Sequence, residues 1–159
     1  MTLPRSRDEP ATRGAIPSSF SLRHRLGRAA WGLTYAVLFR PSPRPLHGWR
    51  RALLRLFGAE LAPSAKVYPR ARVWAPWNLC MHRHACIADD VDCYCVERIE
   101  IGACATVSQY TYLCGATHDY TDPHMKLLAK PIVIGPRAWI CADAFIGPGV
   151  TVGDRTVIG

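Results

Sequence analysis

Ile134-Gly135-Pro136-Arg137-Ala138-Trp139-Ile140-Cys141-Ala142-Asp143-Ala144-Phe145-Ile146-Gly147-Pro148-Gly149-Val150-Thr151-Val152 carries an aliphatic residue at every sixth position, and Ile158 continues the series. The fourth residue after each of the first four is small or β-branched: Ala138, Ala144, Val150 and Thr156. A period of six is neither the 3.6 of an amphipathic helix nor the simple alternation of a strand. It is the pattern of a parallel β-helix in which each hexad forms one flat wall. The aliphatic side chain enters a narrow core, and the small one sits near a corner where bulk would clash.

The same beat extends backwards. Ile101, Val107 and Leu113 are followed four later by Ala105, Thr111 and Thr117; Met81, Ile87 and Cys93 by Ala85, Val91 and Glu97; Leu61, Val67 and Val73 by Ala65, Ala71 and Trp77. Three hexads close one triangular turn, which predicts turns at 61–78, 81–98, 101–118 and 134–151, with a fifth opening at Val152. Extra pairs, 79–80 and 99–100, separate the early turns, and an excursion, 119–133, separates the third from the fourth. Trp77 and Glu97 depart from the small-residue rule. The fold class is thus an all-β solenoid over 61–159, each turn contacting mainly its neighbours. Because the chain stops at Ile158-Gly159 as a hexad begins, the solenoid is expected to be C-terminally incomplete.

Residues 1–60 hold eleven arginines against Asp8, Glu9 and Glu60, a balance of +8 that equals the net charge of the whole chain. Basicity therefore belongs to an N-terminal appendage. No aromatic-interleaved basic groove or base-reading motif accompanies it, so nucleic acid is not the expected partner. Residues 1–20, rich in Pro, Ser, Arg and Thr, are expected to be a disordered tail. Ser21 suits the cap of a helix from Leu22 to about Phe39, ended by Pro41 and Pro43. A second helix is expected from Leu46 to Phe57, with Arg50, Arg51 and Arg55 on one side, Leu53, Leu54 and Phe57 on the other, and Gly58 as its stop. Two roles stand open for this helical appendage, 21–60: a cover for the first solenoid turn, or a peripheral contact with an anionic membrane surface. The apolar run from Ala29 to Phe39 is far short of the roughly 20 residues needed to span a bilayer.

Seven cysteines (80, 86, 93, 95, 104, 114 and 141) lie inside the repeats rather than in loops. They read as small hydrophobes of a reducing compartment, which predicts the cytoplasm, with a peripheral position at the inner membrane face if the appendage binds lipid. His118, in Leu113-Cys114-Gly115-Ala116-Thr117-His118-Asp119-Tyr120, closes a predicted turn and opens the excursion. An imidazole held by rigid strands and overhung by a loop is suited to general-base chemistry; it is equally the position of a surface histidine at a turn.

The stretch from Ile99 to Gly159 resembles the hexapeptide-repeat acyltransferases. Phe39-Arg40-Pro41-Ser42-Pro43-Arg44-Pro45-Leu46-His47-Gly48-Trp49-Arg50-Arg51 resembles the opening of the colanic acid biosynthesis acetyltransferases within that family. So do Ser108-Gln109, Thr117-His118-Asp119-Tyr120, Pro131-Ile132-Val133-Ile134-Gly135 and Gly147-Pro148-Gly149-Val150-Thr151. The resemblance implies a left-handed coil, an exception to the usual crossover hand. It also implies a homotrimer that moves an acetyl group from acetyl-CoA to a sugar hydroxyl in exopolysaccharide assembly, with no metal. His118 matches the family's catalytic histidine; Asp119 and Tyr120 fall on the acceptor side, and Trp139 and Ala142 on the side that lines the CoA pantetheine arm. Where relatives place an asparagine one turn earlier, the matching position here is near Asp90. Lys126 and Lys130 in the excursion could meet phosphate or an acidic sugar, or simply be solvated.

Two other classes compete. Cys80-Met81-His82-Arg83-His84-Ala85-Cys86 alternates metal-ligating types along a strand, and with His118 and His124 it raises a zinc hydratase similar to γ-class carbonic anhydrases. A truncated trimeric scaffold without catalysis is the other.

Overall fold

The computed structural model describes residues 20–159. The expected disordered tail lies outside the described residues except for Phe20, which stacks on His24 and leans on Trp74.

The hexads wind as the spacing requires. Strands β1 (Glu60–Leu61), β2 (Lys66–Val67) and β3 (Arg72–Val73) form the three walls of the first turn. β4 (Leu79–Met81), β5 (Cys86–Ile87) and β6 (Asp92–Tyr94) form the second, β7 (Ile99–Ile101), β8 (Thr106–Val107) and β9 (Tyr112–Cys114) the third. After a hairpin of β10 (Ala116–His118) and β11 (Leu127–Ala129), β12 (Ile132–Ile134), β13 (Trp139–Ile140) and β14 (Phe145–Ile146) make the fourth, and β15 (Thr151–Val152) and β16 (Val157–Ile158) enter the fifth. Pairing is parallel between successive turns, so Leu61, Met81, Ile101, Ile134 and Val152 share one register. Val67, Ile87, Val107, Ile140 and Ile158 share the second, and Val73, Cys93, Leu113 and Ile146 the third. Apart from half-buried Ile158, these side chains and the corner residues Ala65, Ala71, Ala85, Val91, Ala105, Thr111, Ala138 and Ala144 fill the core.

The third corner differs from the hexad reading. Glu97 and Thr117 are exposed and Trp77 is only half-buried; the interior is instead filled by Ala75 and Cys95. The extra residues 79–80 and 99–100 are the reason. They lengthen this corner and continue the wall inward, so that Leu79, Ile99 and Ile132 form a further core column in register. The other corners turn sharply through left-handed residues three places after the core aliphatic, among them His84, Cys104, Arg137 and Arg155, and Asp90, Tyr110 and Asp143.

Helix α1 (Leu22–Thr34) starts at Ser21, whose side chain accepts the His24 N–H, and runs into one π-helical turn, Tyr35–Phe39. Helix α2 spans His47–Leu56. Both pack on the first turn through Trp31, Phe39, Leu53 and Leu54, as a cover requires. The placement of the α2 arginines is corrected: Arg50 is fully buried. Ladder geometry explains it. N–H groups of each turn donate to carbonyls of the next, as in Ala62 to Met81 (2.8 Å) and Lys66 to Ala85 (2.8 Å), so first-turn carbonyls face back toward the appendage without a strand to pair. Buried carbonyls need donors. Arg55 reaches Leu61 O, Arg51 Ala65 O (2.8 Å), Arg50 Val67 O (2.7 Å) and Trp31 Val73 O (2.6 Å).

Candidate functional site

The hairpin that carries His118 leaves the coil at Gly115. Its N–H donates to Tyr94 O (3.0 Å), and a Cβ here would stand 2.7 Å from that same carbonyl oxygen. Only glycine lets the third wall end against the preceding turn and swing outward. Gly115→Ala is therefore expected to cost about 2 kcal/mol, or roughly 4–8 °C in Tm, checked by thermal melting beside the parent.

His118 consequently does not close the third turn. Ala116, Thr117 and His118 pair antiparallel with Ala129, Leu128 and Leu127, so the excursion begins three residues earlier than the hexad count suggests. The His118 ring is exposed, and its Nδ1 lies 2.6 Å from Met125 O. A carbonyl oxygen only accepts, so Nδ1 carries the proton; in the neutral ring Nε2 then keeps a free lone pair. The turn 119–126 is fixed by its own acids. Asp119 accepts from Thr121 N–H (2.9 Å) and Oγ1 (2.6 Å), which hold its carboxyl below the ordinary carboxylate range. Asp122 accepts from Lys126 Nζ (2.7 Å) and His124 N–H (2.8 Å), with the same downward effect. Lys126 is thus paired within the hairpin. Tyr120 stands almost wholly exposed at the tip.

Trp139 and Ala142 lie elsewhere. Trp139 is on the outer face of the second wall, its indole N–H donating to Ser108 Oγ (2.9 Å), and Ala142 is exposed at the following corner. Ser108 lines a groove of about 420 Å³ along that corner with Tyr68, Asp89, Asp90, Gln109 and Tyr110. Asp90 pairs with Arg70 (2.9 Å), and Asp89 with Arg44 (3.3 Å). The fold therefore gathers Trp139, Ser108 and Asp90 along one corner, and sets His118 on a hairpin from another.

One feature of the site region escaped the hexad reading. Trp74, Tyr94, Tyr112 and Phe145 form a continuous aromatic file on the outside of the third wall, with ring centroids 5.3, 6.4 and 5.6 Å apart in succession, running from the first turn to the fourth. Burial, followed by the neighbouring Cys114, pushes the Tyr112 hydroxyl well above its usual range. The signal was present in the repeat itself, since Trp74 and Tyr94 are spaced by the same twenty residues as the core columns.

Among the described residues, the Cys/His/acid group within ligating reach is Cys80, His82 and Glu100. His84 sits at a corner, Cys86 on the next wall and His118 and His124 in the hairpin, so the alternating run does not converge. The Arg98 guanidinium stands among those donors, 2.9 Å from Glu60 and 3.9 Å from Glu100, and His82 Nε2 is 2.7 Å from Glu100. A cation already balances the acids there. All seven cysteines are free thiols.

Comparison with known proteins agrees with this architecture. No protein-family model matches the chain. It is 39% identical over 145 residues, 91% of this chain and 80% of the relative, to the Escherichia coli K12 protein named "Putative colanic acid biosynthesis acetyltransferase WcaF", and equally to its Shigella flexneri counterpart. A hexapeptide-repeat acetyltransferase from Vibrio cholerae superposes with a TM-score of 0.75 at 27% identity, covering 86% of this chain and 78% of that one. Its acetyl-CoA complex superposes with a TM-score of 0.72 at 26% identity, covering 87% and 76%. A maltose O-acetyltransferase from Clostridium difficile 630, at 22% identity and a TM-score of 0.75 over 86% of this chain and 74% of that one, shares the fold. The solenoid is accordingly the left-handed one of these enzymes, and the chain belongs to the colanic acid biosynthesis acetyltransferases of the hexapeptide-repeat family.

Proposed function

We propose that the chain is an O-acetyltransferase acting on a sugar hydroxyl in cytoplasmic exopolysaccharide assembly, as a homotrimer, with His118 as general base. The observation that carries this reading is the Nδ1 contact to Met125 O, which leaves Nε2 as an outward-facing acceptor. The sugar hydroxyl gives its proton to Nε2 as its oxygen attacks the thioester carbonyl carbon of acetyl-CoA. The new C–O bond forms, the C–S bond breaks, and the imidazolium returns the proton to the departing thiolate. Trp139 and Ala142 offer a flat, small-residue surface for the pantetheine arm, and Asp119 and Tyr120 border the acceptor; Asp119 acts chiefly by fixing the hairpin through Thr121. Since His118 and Trp139 emerge from different walls, a seam between two copies unites them.

The test uses the full chain, acetyl-CoA and sugar acceptors, with sugar-dependent thiol release as readout. His118→Ala and Trp139→Glu chains are each expected to be inactive alone. Co-refolded in equal amounts, they should recover about a quarter of wild-type activity, because random trimers leave about one seam in four with both partners intact. Failure to recover any activity from a folded mixture rejects the shared seam, and absence of sugar-dependent thiol release from the wild type rejects the function.

A further inference from the structure

We infer that the outer face of α1 docks the protein on an anionic phospholipid surface, a role independent of the acetyl-transfer reading. The inner side of this helix is fully used: Trp31 and Phe39 are buried on the first turn, and the Trp31 indole caps Val73 O. The opposite side is apolar without being covered. Leu22, Leu26, Leu33 and Val37 are 68, 61, 69 and 59% exposed. Their spacing of four, seven and four keeps them on one stripe along α1 and the π-helical turn that continues it, with Ala29, Ala30 and Ala36 exposed between them. At about 1.5 Å per residue the stripe is roughly 22 Å long. No helix among the described residues is long and apolar enough to cross a membrane, so this one would lie in the plane of the interface.

Charge decides what covers the stripe. Arg23 and Arg25 flank it on either side and Arg40 stands at its end, all exposed. From residue 10 to residue 59 the sequence has no Asp or Glu. An anionic headgroup layer meets both features at once, taking the leucines below the phosphates and the guanidiniums among them. A second copy of this chain would bring arginine against arginine, and a neutral apolar partner would leave the basic rim unanswered.

The full chain should co-sediment with phosphatidylcholine vesicles containing phosphatidylglycerol about tenfold or more better than with phosphatidylcholine alone, and less well as salt rises. L26E/L33E, which alters only exposed positions, should lose at least about tenfold of that binding while keeping the wild-type circular dichroism spectrum. R23E/R25E should lose a similar factor on anionic vesicles alone. Equal binding to neutral and anionic vesicles, or unchanged binding by L26E/L33E, overturns the inference. So does light scattering in which L26E/L33E breaks up an assembly formed by the wild type, since the face would then be a contact between copies.

Discussion

Replacing His118 with alanine is expected to lower kcat for acetyl transfer by about a thousandfold, the middle of the range that a positioned general base supplies. The structural cost should be slight. The ring is exposed and makes one hydrogen bond, to Met125 O, while the hairpin is held independently by the pairing of Ala116–His118 with Leu127–Ala129 and by the Asp119 and Asp122 turns. Thermal melting of the variant should therefore stay close to the parent. His118→Asn separates the ring's two functions. Its side-chain amide can still donate to Met125 O, yet it has no basic nitrogen, so it should be as inactive as the alanine variant. A residual rate above about a tenth of wild type in either variant would assign the proton to another group. Recovery of activity in the asparagine variant alone would make the histidine a hairpin strut instead.

How much of this could be read beforehand depends on which force set each position. The core columns were legible because Ile134, Ile140 and Ile146 each have to reach the same narrow interior, and a six-residue period allows little else. The helices were legible from a cap at Ser21 and stops at Pro41 and Gly58, within a residue of the observed ends when the π-helical turn Tyr35–Phe39 is counted with α1. The third corner was not, since hexad counting presumes equal walls, and the added pair at 79–80 changes which residue points inward. The histidine hairpin illustrates the same limit. Thr117 fits the spacing of a fourth wall residue, but the clash that Gly115 avoids with Tyr94 O has already turned the chain out of the coil. That is a contact between turns, twenty-one residues apart in sequence, and no local pattern reports it. The relation proposed between His118 and Trp139 lies deeper still, because it would depend on how copies meet.

Arg50→Met is expected to be the most destabilising single change outside the core columns, by about 3–5 kcal/mol, which for a chain of this size is roughly 6–20 °C in Tm. At 100° per residue Arg50 falls among Leu53, Leu54 and Phe57 rather than beside Arg51 and Arg55, yet the usual tendency of an arginine would leave all three in water. The first turn overrides that tendency. Its outward carbonyls have no strand to pair with, and burying them bare costs about 1–3 kcal/mol each. Among the described residues Arg50 is the one fully buried guanidinium, sealed between α2 and the solenoid: Nε donates to Val67 O (2.7 Å), Nη1 to Pro43 O (2.8 Å) and to Ser42 Oγ (2.9 Å), and Nη2 to Arg44 O. It thereby ties the Pro-rich connector between the helices to the first turn of the solenoid. Methionine matches much of the apolar length and removes every donor. Lysine keeps the charge but offers three donors from a single point, so it cannot span Val67 O and Arg44 O in the planar fork that arginine provides, and Arg50→Lys should recover less than half of the loss. Arg55→Ala gives the comparison. Its guanidinium also caps a carbonyl, Leu61 O, but from an exposed position where water can take its place, so about 1 kcal/mol or less is expected. Urea titrations of the three variants decide the matter. If Arg50→Met costs no more than Arg55→Ala, sealed capping of the first turn is not what holds the appendage to the solenoid. If the order is as given, kcat per folded molecule at low temperature should stay at the wild-type value, because the His118 hairpin leaves the coil at the third turn, two turns beyond the damage.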